Sequence, residues 1–147
     1  CRNYDSALMD FTNAIFNGCN ESVAFFSRGM CHLSNKNYAR AVADFTRALA
    51  LDPKDMESLV NRGMAHTQLG NYDAALSDYN SIIAMNPNSA VAFHHRSIVQ
   101  LHRRQYAEAL SDAEQAWMKE KGNLEYQTRL AKLTEAMEEG AIGIFMD

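Results

Sequence analysis

Proline and cysteine are both scarce in this sequence. Only 2 of the 147 residues are proline and 3 are cysteine. Scarce proline favours helix, because proline lacks a backbone donor and interrupts helices. The cysteines, Cys1, Cys19 and Cys31, are odd in number and show no Cys-x-x-Cys spacing. This argues against a disulfide framework or a zinc site and favours a reducing, intracellular and cytoplasmic setting.

Long apolar runs and long basic runs are also missing. No stretch reaches the roughly 18 apolar residues that a membrane span needs. No charged-then-apolar leader opens the chain. The net charge is −4, and Arg103-Arg104 is the only dibasic step, whereas nucleic-acid binding needs a wide positive face. The sequence therefore predicts that neither a membrane nor a nucleic acid is a partner.

The main positive signal is an internal repeat with a period of 34 residues. Several residue types recur together at this spacing, and chance does not produce so many coincidences at one period. The recurring positions are Tyr4, Tyr38, Tyr72 and Tyr106; Ala7, Ala41, Ala75 and Ala109; Asp10, Asp44, Asp78 and Asp112; and Arg28-Gly29, Arg62-Gly63 and Arg96-Ser97.

Each repeat unit predicts two amphipathic helices. In the unit of residues 56–89, the first helix carries apolar or small residues at i, i+4 and i+7, counted from Leu59. The second helix carries them at i, i+3, i+4 and i+7, counted from Tyr72. Asp55 and Ser89 are suited to cap first helices, and Gly70 to form a hairpin turn. Helices are predicted over residues 3–17, 22–34, 38–50, 56–68, 72–84, 90–102, 106–118 and 123–139.

These units resemble the tetratricopeptide repeat (TPR) family over residues 3–123. The tyrosine, the small residues and Pro53 and Pro87 carry the resemblance. Arg-Gly replaces the usual Leu-Gly, Ile82 replaces a small residue, and Ala113 replaces an aromatic one. The resemblance implies an all-α fold, a right-handed superhelical TPR solenoid of antiparallel helical hairpins with a C-terminal capping helix.

The predicted organisation is a single domain, residues 1–147. We expect it to be part of a longer protein, because its first helix matches the second helix of a repeat unit and lacks the first. Leu124, Leu130 and Leu133 are predicted to form the apolar face of the capping helix. The predicted segments are a second helix of a partial repeat (3–21), three repeats (22–55, 56–89 and 90–123), the capping helix (124–139) and a tail (140–147).

The recurring arginines predict a structural ion-pair ladder. Each arginine lies on the packed side of a first helix, where a guanidinium is tolerated only with an acceptor. We predict that each pairs with an aspartate of a neighbouring second helix, and the alternative is an anion-binding stripe. The ladder residues are Arg28, Arg62 and Arg96 with Asp10, Asp44, Asp78 and Asp112.

In TPR folds the first helices line a concave groove, and here their open faces are largely apolar. Exposed apolar strips mark contact sites, and methionine makes such a strip adaptable. We therefore expect a protein partner that lays an apolar-faced helix or an extended peptide in the groove; filling by the chain's own residues 141–146 is the alternative. The groove residues are Phe26, Met30, Val60, Asn61, Met64, His94, His95, Ile98 and His102.

The predicted function is a protein-interaction scaffold that binds a partner segment. The alternatives are a structural, self-associating section of a larger assembly and a chaperone-tail-binding co-chaperone. The carboxylate-clamp subgroup is disfavoured: Asn61 matches a clamp asparagine, but His95 stands where arginine is needed, and these groove positions hold no lysine or arginine.

An enzymatic activity is not expected, because no nucleophile elbow, phosphate loop or paired-carboxylate pattern occurs. No cofactor and no metal are predicted either. His95 and His102 share a helix face but lie two turns apart, too far to chelate one ion without further ligands.

Overall fold

The computed structural model describes residues 2–18 and 20–140, the side chain of residue 2 excepted. The described residues form helices and connecting turns and include no strand, so the all-α prediction is confirmed. Each helix begins and ends within one residue of its predicted bounds. The helices are α1 (Arg2–Phe16), α2 (Glu21–Ser34), α3 (Tyr38–Leu51), α4 (Met56–Gln68), α5 (Tyr72–Met85), α6 (Ala90–His102), α7 (Tyr106–Lys119) and α8 (Leu124–Glu138).

The helices belong to two compact units, Cys1–Asp78 and Tyr79–Asp147. In the first unit, each of α1, α2 and α3 packs on the next helix in the chain, and α2 also contacts α4. A fully buried cluster of Ala41, Phe45 and Ala65 lies at its centre. Apolar side chains of α2 and α3 surround this cluster: Phe26, Met30, Leu33, Tyr38 and Val42.

Close approach of α2 and α3 explains why a small residue recurs beside the arginine of each repeat. Gly29 is buried against the ring of Phe45. A Cβ atom added at Gly29 would lie 2.8 Å from the Phe45 ring. Glycine at this position therefore lets the aromatic ring fill the space between the two helices.

In the second unit, α6 packs on α7 and α7 packs on α8. Its buried cluster consists of Phe93, Ala116 and Tyr126, with Ile83, Ala90 and Trp117 packed against it. The predicted apolar face of α8 is partly wrong. Tyr126 and Leu133 are its buried residues, whereas Leu124 is 73% exposed. Tyr126 packs against Phe93 of α6 and Ala116 of α7, whereas Leu124 in the first turn lies outside this cluster.

The turns that follow the first helices share one backbone conformation at the repeat spacing. Gly70 has a φ of 77°, and Lys36 and Arg104, 34 residues on either side, both have a φ of 60°. In each turn the next amide donates to a carbonyl in the last helical turn, as Asn71 N does to His66 O at 2.9 Å. Only Gly70 signals this left-handed conformation in the sequence, because glycine adopts it without strain.

Side-chain caps begin three helices. The predicted caps are confirmed, since Asp55 accepts from Glu57 N and Ser89 accepts from Ala92 N. Asn123 caps α8 in the same way, accepting from the backbone amides of the first turn. These bonds satisfy donors that a helix start otherwise leaves unpaired.

Candidate protein-binding surfaces

The recurring arginines form bidentate ion pairs with aspartates that lie 16 residues later in the chain. Arg28 donates from Nε to Asp44 Oδ2 at 2.8 Å and from Nη2 to Asp44 Oδ1 at 2.7 Å. Arg62 binds Asp78 at 2.9 and 2.6 Å, and Arg96 binds Asp112 at 2.6 and 2.7 Å. The three carboxylates are buried, so each needs this fork of donors to offset its lost hydration.

Each guanidinium also reaches the second helix on its other side. The third nitrogen, Nη1, donates to Thr12 at 3.3 Å from Arg28, to Thr46 at 3.2 Å from Arg62 and to Asn80 at 2.8 Å from Arg96. An arginine of one first helix thereby connects the second helices before and after it. The hydrogen bond to Asp44 raises the pKa of Arg28, which keeps this group charged.

Asp10 differs from the other three aspartates. It is exposed, and the arginines all bind the aspartate 16 residues later rather than Asp10. The structure thus brings together three of the expected arginine–aspartate pairs and leaves Asp10 apart from them.

Five of the predicted groove residues lie on α2 and α4 of the first unit, and we refer to them as the α2/α4 face: Phe26, Met30, Val60, Asn61 and Met64. All five are half-buried. The inner parts of Phe26 and Met30 pack on the core cluster, and the Phe26 ring centre lies 5.9 Å from that of Phe45. Asn61 donates from Nδ2 to Glu57 O at 2.8 Å. The α2 part of the face is therefore anchored in the core, and both parts keep some of their apolar area accessible.

His94 is not an open groove residue, which corrects that part of the predicted set. Its side chain is buried, with 3% exposed, because α8 covers it. His94 Nε2 lies 3.2 Å from Glu125 Oε1, and its ring centre lies 4.6 Å from that of Tyr126. A helix face that would line the groove in a middle repeat is thus partly used to dock α8.

The other predicted groove residues of α6 differ in accessibility. His95 is half-buried and stacks on Tyr79, with ring centres 5.8 Å apart. Ile98 is half-buried and His102 is exposed. Burial, and to a smaller extent the nearby His94, lowers the pKa of His95 to about 4. Burial also lowers the pKa of His94. Both rings are consequently neutral near pH 7 and supply no fixed positive charge to a ligand.

A pocket that the sequence analysis missed lies between α6 and α8 in the second unit. Its volume is about 670 Å³, and we call it the α6/α8 pocket. Leucines form its apolar wall, and an arginine and a lysine add positive charge. The lining residues are Leu101, Leu124, Glu125, Thr128, Arg129, Lys132 and Leu133.

A signal for these residues was present in the repeat spacing. Arg129 and Lys132 follow the groove positions His95 and Ile98 by 34 residues. Because α8 was predicted only as a capping helix, Arg129 and Lys132 were not predicted to line a binding surface.

Within residues 2–18 and 20–140, no group of three or more His, Cys, Asp or Glu side chains is placed to hold a metal ion. In the same described part of the chain, no helix combines the length and the apolar character that crossing a membrane requires. The tail, residues 141–147, lies outside the described residues, and so does the alternative that the tail fills the groove.

A family model described as tetratricopeptide repeat matches residues 29–93. Solved TPR structures also share the fold of this chain. One of them is the second TPR domain of human RPAP3, solved in complex with the HSP70 peptide SGPTIEEVD. It is 26% identical to this chain, and the two structures superpose with a TM-score of 0.71 over 78% of this chain and 95% of the RPAP3 domain. The chain has a tetratricopeptide-repeat fold. The helices of this fold are the ones that the 34-residue repeat predicted.

Two other solved structures share the fold of this chain at lower identity. The TPR domain of Sgt2 from Aspergillus fumigatus is 22% identical, with a TM-score of 0.77, covering 83% of this chain and 82% of its own. MamA is 16% identical, with a TM-score of 0.84, covering 96% of this chain and 82% of its own. No curated protein sequence matches this chain.

Proposed function

We propose that this TPR chain is a protein-interaction scaffold whose α2/α4 face binds a segment of a partner protein. The observation that carries the proposal is the row of half-buried apolar side chains on two successive first helices, of which Phe26 and Met30 also pack on the core cluster. Apolar area left accessible in this way favours contact with another molecule. Peptide binding by the second TPR domain of human RPAP3 supports the same class of function.

The side chains of the α2/α4 face favour an apolar ligand. Met30 and Met64 are flexible and polarisable, so they adapt to different side-chain shapes. An amphipathic helix or an extended peptide with apolar residues fits such a face. Asn61 offers one amide for a polar contact.

We propose that a chain-terminal carboxylate is not the ligand of this face. The five residues of the α2/α4 face include no lysine and no arginine, and a carboxylate gains most from charged donors. His95, which stands at a clamp position in the second unit, has its pKa lowered to about 4 and cannot replace an arginine near pH 7. A binding role also accounts for these residues without any catalytic group.

Introducing charge into the α2/α4 face should abolish partner capture. The Met30→Asp, Met64→Asp double variant places two carboxylates where an apolar ligand surface would bury them, a cost of several kcal/mol. Capture of partner proteins by the immobilised chain, quantified by mass spectrometry, should fall by at least about tenfold.

The matched control is the Met9→Asp, Met118→Asp double variant, which makes the same chemical change at two exposed methionines of second helices. It should capture the same proteins as wild type. Far-ultraviolet circular dichroism must show that both double variants retain their helix content. Equal capture by a folded Met30→Asp, Met64→Asp chain would refute binding at this face.

Self-association is a second candidate function, favoured by exposed apolar residues on α1 and α2. Phe16 is 89% exposed, and Met9 and Val23 are also largely exposed. If this surface joins two copies, sedimentation velocity should show a dimer that Phe16→Asp converts to monomer, since a buried carboxylate at the interface costs several kcal/mol. A wild-type chain that remains monomeric at all concentrations tested would exclude this function.

A further inference from the structure

The geometry points to the α6/α8 pocket as a binding site for an internal peptide segment of a partner that carries a side-chain carboxylate beside an apolar side chain. The pocket belongs to the second unit and shares no residue with the α2/α4 face. The inference rests on the proposed function only in taking a peptide as the class of ligand.

The apolar part of the ligand is indicated by the leucines of the pocket. Leu101 of α6 and Leu124 and Leu133 of α8 line it. Leu124 is 73% exposed at the first residue of its helix, where a polar residue would cost nothing. A peptide side chain of leucine or methionine size would cover this area, and removing apolar surface from water is favourable.

The acidic part of the ligand is indicated by Arg129. Its Nε atom is buried and has no hydrogen-bond acceptor among the described residues. The carboxylate one turn earlier, Glu125, has an oxygen 3.2 Å from His94 Nε2. A buried donor without an acceptor is unfavourable, and the guanidinium that carries it belongs to a residue that lines the pocket, where a ligand carboxylate can pair with it.

The ladder arginines show what Arg129 lacks. Arg28, Arg62 and Arg96 each place two nitrogens on one aspartate. Lys132 lies one helical turn after Arg129 and lines the same pocket, so two cations outnumber its single carboxylate, Glu125. An acidic side chain next to an apolar one complements this arrangement in both charge and shape.

Fluorescence anisotropy with a capped peptide tests the inference. The probe is the labelled, C-amidated heptapeptide Ser-Leu-Glu-Glu-Leu-Val-Ser, which has no terminal carboxylate, and its partner probe replaces both glutamates by glutamine. We expect the full chain to bind the acidic probe at least about tenfold more tightly than the glutamine probe.

Variants of the full chain locate the binding. Lys132→Gln should raise the Kd for the acidic probe by about threefold. The Arg129→Gln, Lys132→Gln double variant should raise it by about tenfold. Arg104→Gln, Lys121→Gln removes the same charge from exposed residues of the second unit that do not line the pocket, and it should bind as wild type. Leu124→Ala should weaken binding by about fivefold, whereas Met118→Ala, at another exposed apolar residue, should not.

Several outcomes would overturn the inference. They are equal binding of the two probes, unchanged binding by Lys132→Gln, and binding only when the peptide has a free terminal carboxylate. Tighter binding by the Ile144→Asp, Phe145→Asp variant would assign the pocket to the chain's own tail, and a dimer lost in Leu124→Ala would assign it to a second copy. The Met30→Asp, Met64→Asp variant should bind the probe normally, so failure here and failure of the α2/α4 face are distinguishable.

Discussion

Replacing Asp44 by alanine should lower the free energy of unfolding by about 3–5 kcal/mol. Asp44 is only 3% exposed, and it accepts two hydrogen bonds from Arg28. Removing the carboxylate leaves the guanidinium between α1 and α3 with Thr12 as its remaining polar contact. An uncompensated, partly buried charge is the source of the expected loss. Urea unfolding followed by circular dichroism measures it.

Asp10→Ala is the matched control, because it makes the same substitution at the same repeat position on an exposed residue that does not join the ladder. It should change the free energy of unfolding by less than about 0.5 kcal/mol. If Asp44→Ala were as stable as Asp10→Ala, the ion pairs would contribute nothing to the fold. The Arg28→Met, Asp44→Leu double variant should recover most of the loss, since it removes both charges together.

Acidification should destabilise the second unit between pH 6.5 and 4. Burial lowers the folded-state pKa of His95 to about 4 from its ordinary 6.5, so the unfolded chain takes up the proton first as the pH falls. The contribution of neutral His95 to the free energy of unfolding is complete above pH 6.5. It is lost as the pH falls towards the folded-state pKa, a change on the order of 2–3 kcal/mol. Thermal unfolding measured across this range tests the expectation.

The control separates His95 from carboxylates that titrate in the same range. His95→Gln should show a shallower loss of stability between pH 6.5 and 4 than wild type, whereas His102→Gln, at an exposed histidine, should follow the wild-type curve. The pKa of His94 is also lowered by burial, so part of the pH dependence will remain in His95→Gln. Parallel curves for wild type and His95→Gln would show that His95 does not titrate as described.

Repeat spacing made the helices and their packing predictable. A side chain that recurs every 34 residues meets the same surroundings in each unit, so Gly29, Phe45 and their counterparts identify the close contacts between helices. The pairing of Arg28 with Asp44 follows the same logic, because a guanidinium on a packed helix side needs an acceptor within reach.

Places where the repeat pattern stops were less predictable. Lys36 and Arg104 adopt the backbone conformation of Gly70, although neither residue favours it. The turn geometry is imposed by the helices on both sides, and it outweighs the local preference, whose cost is about 1 kcal/mol.

The sequence by itself determined the all-α architecture, the bounds of the helices and the residue types that face the core, because those depend on local periodicity. Only the tertiary structure decided that α8 buries His94 and exposes Leu124. Those outcomes depend on how one helix end meets another, and a contact between residues 94 and 125 leaves no periodic trace in the sequence.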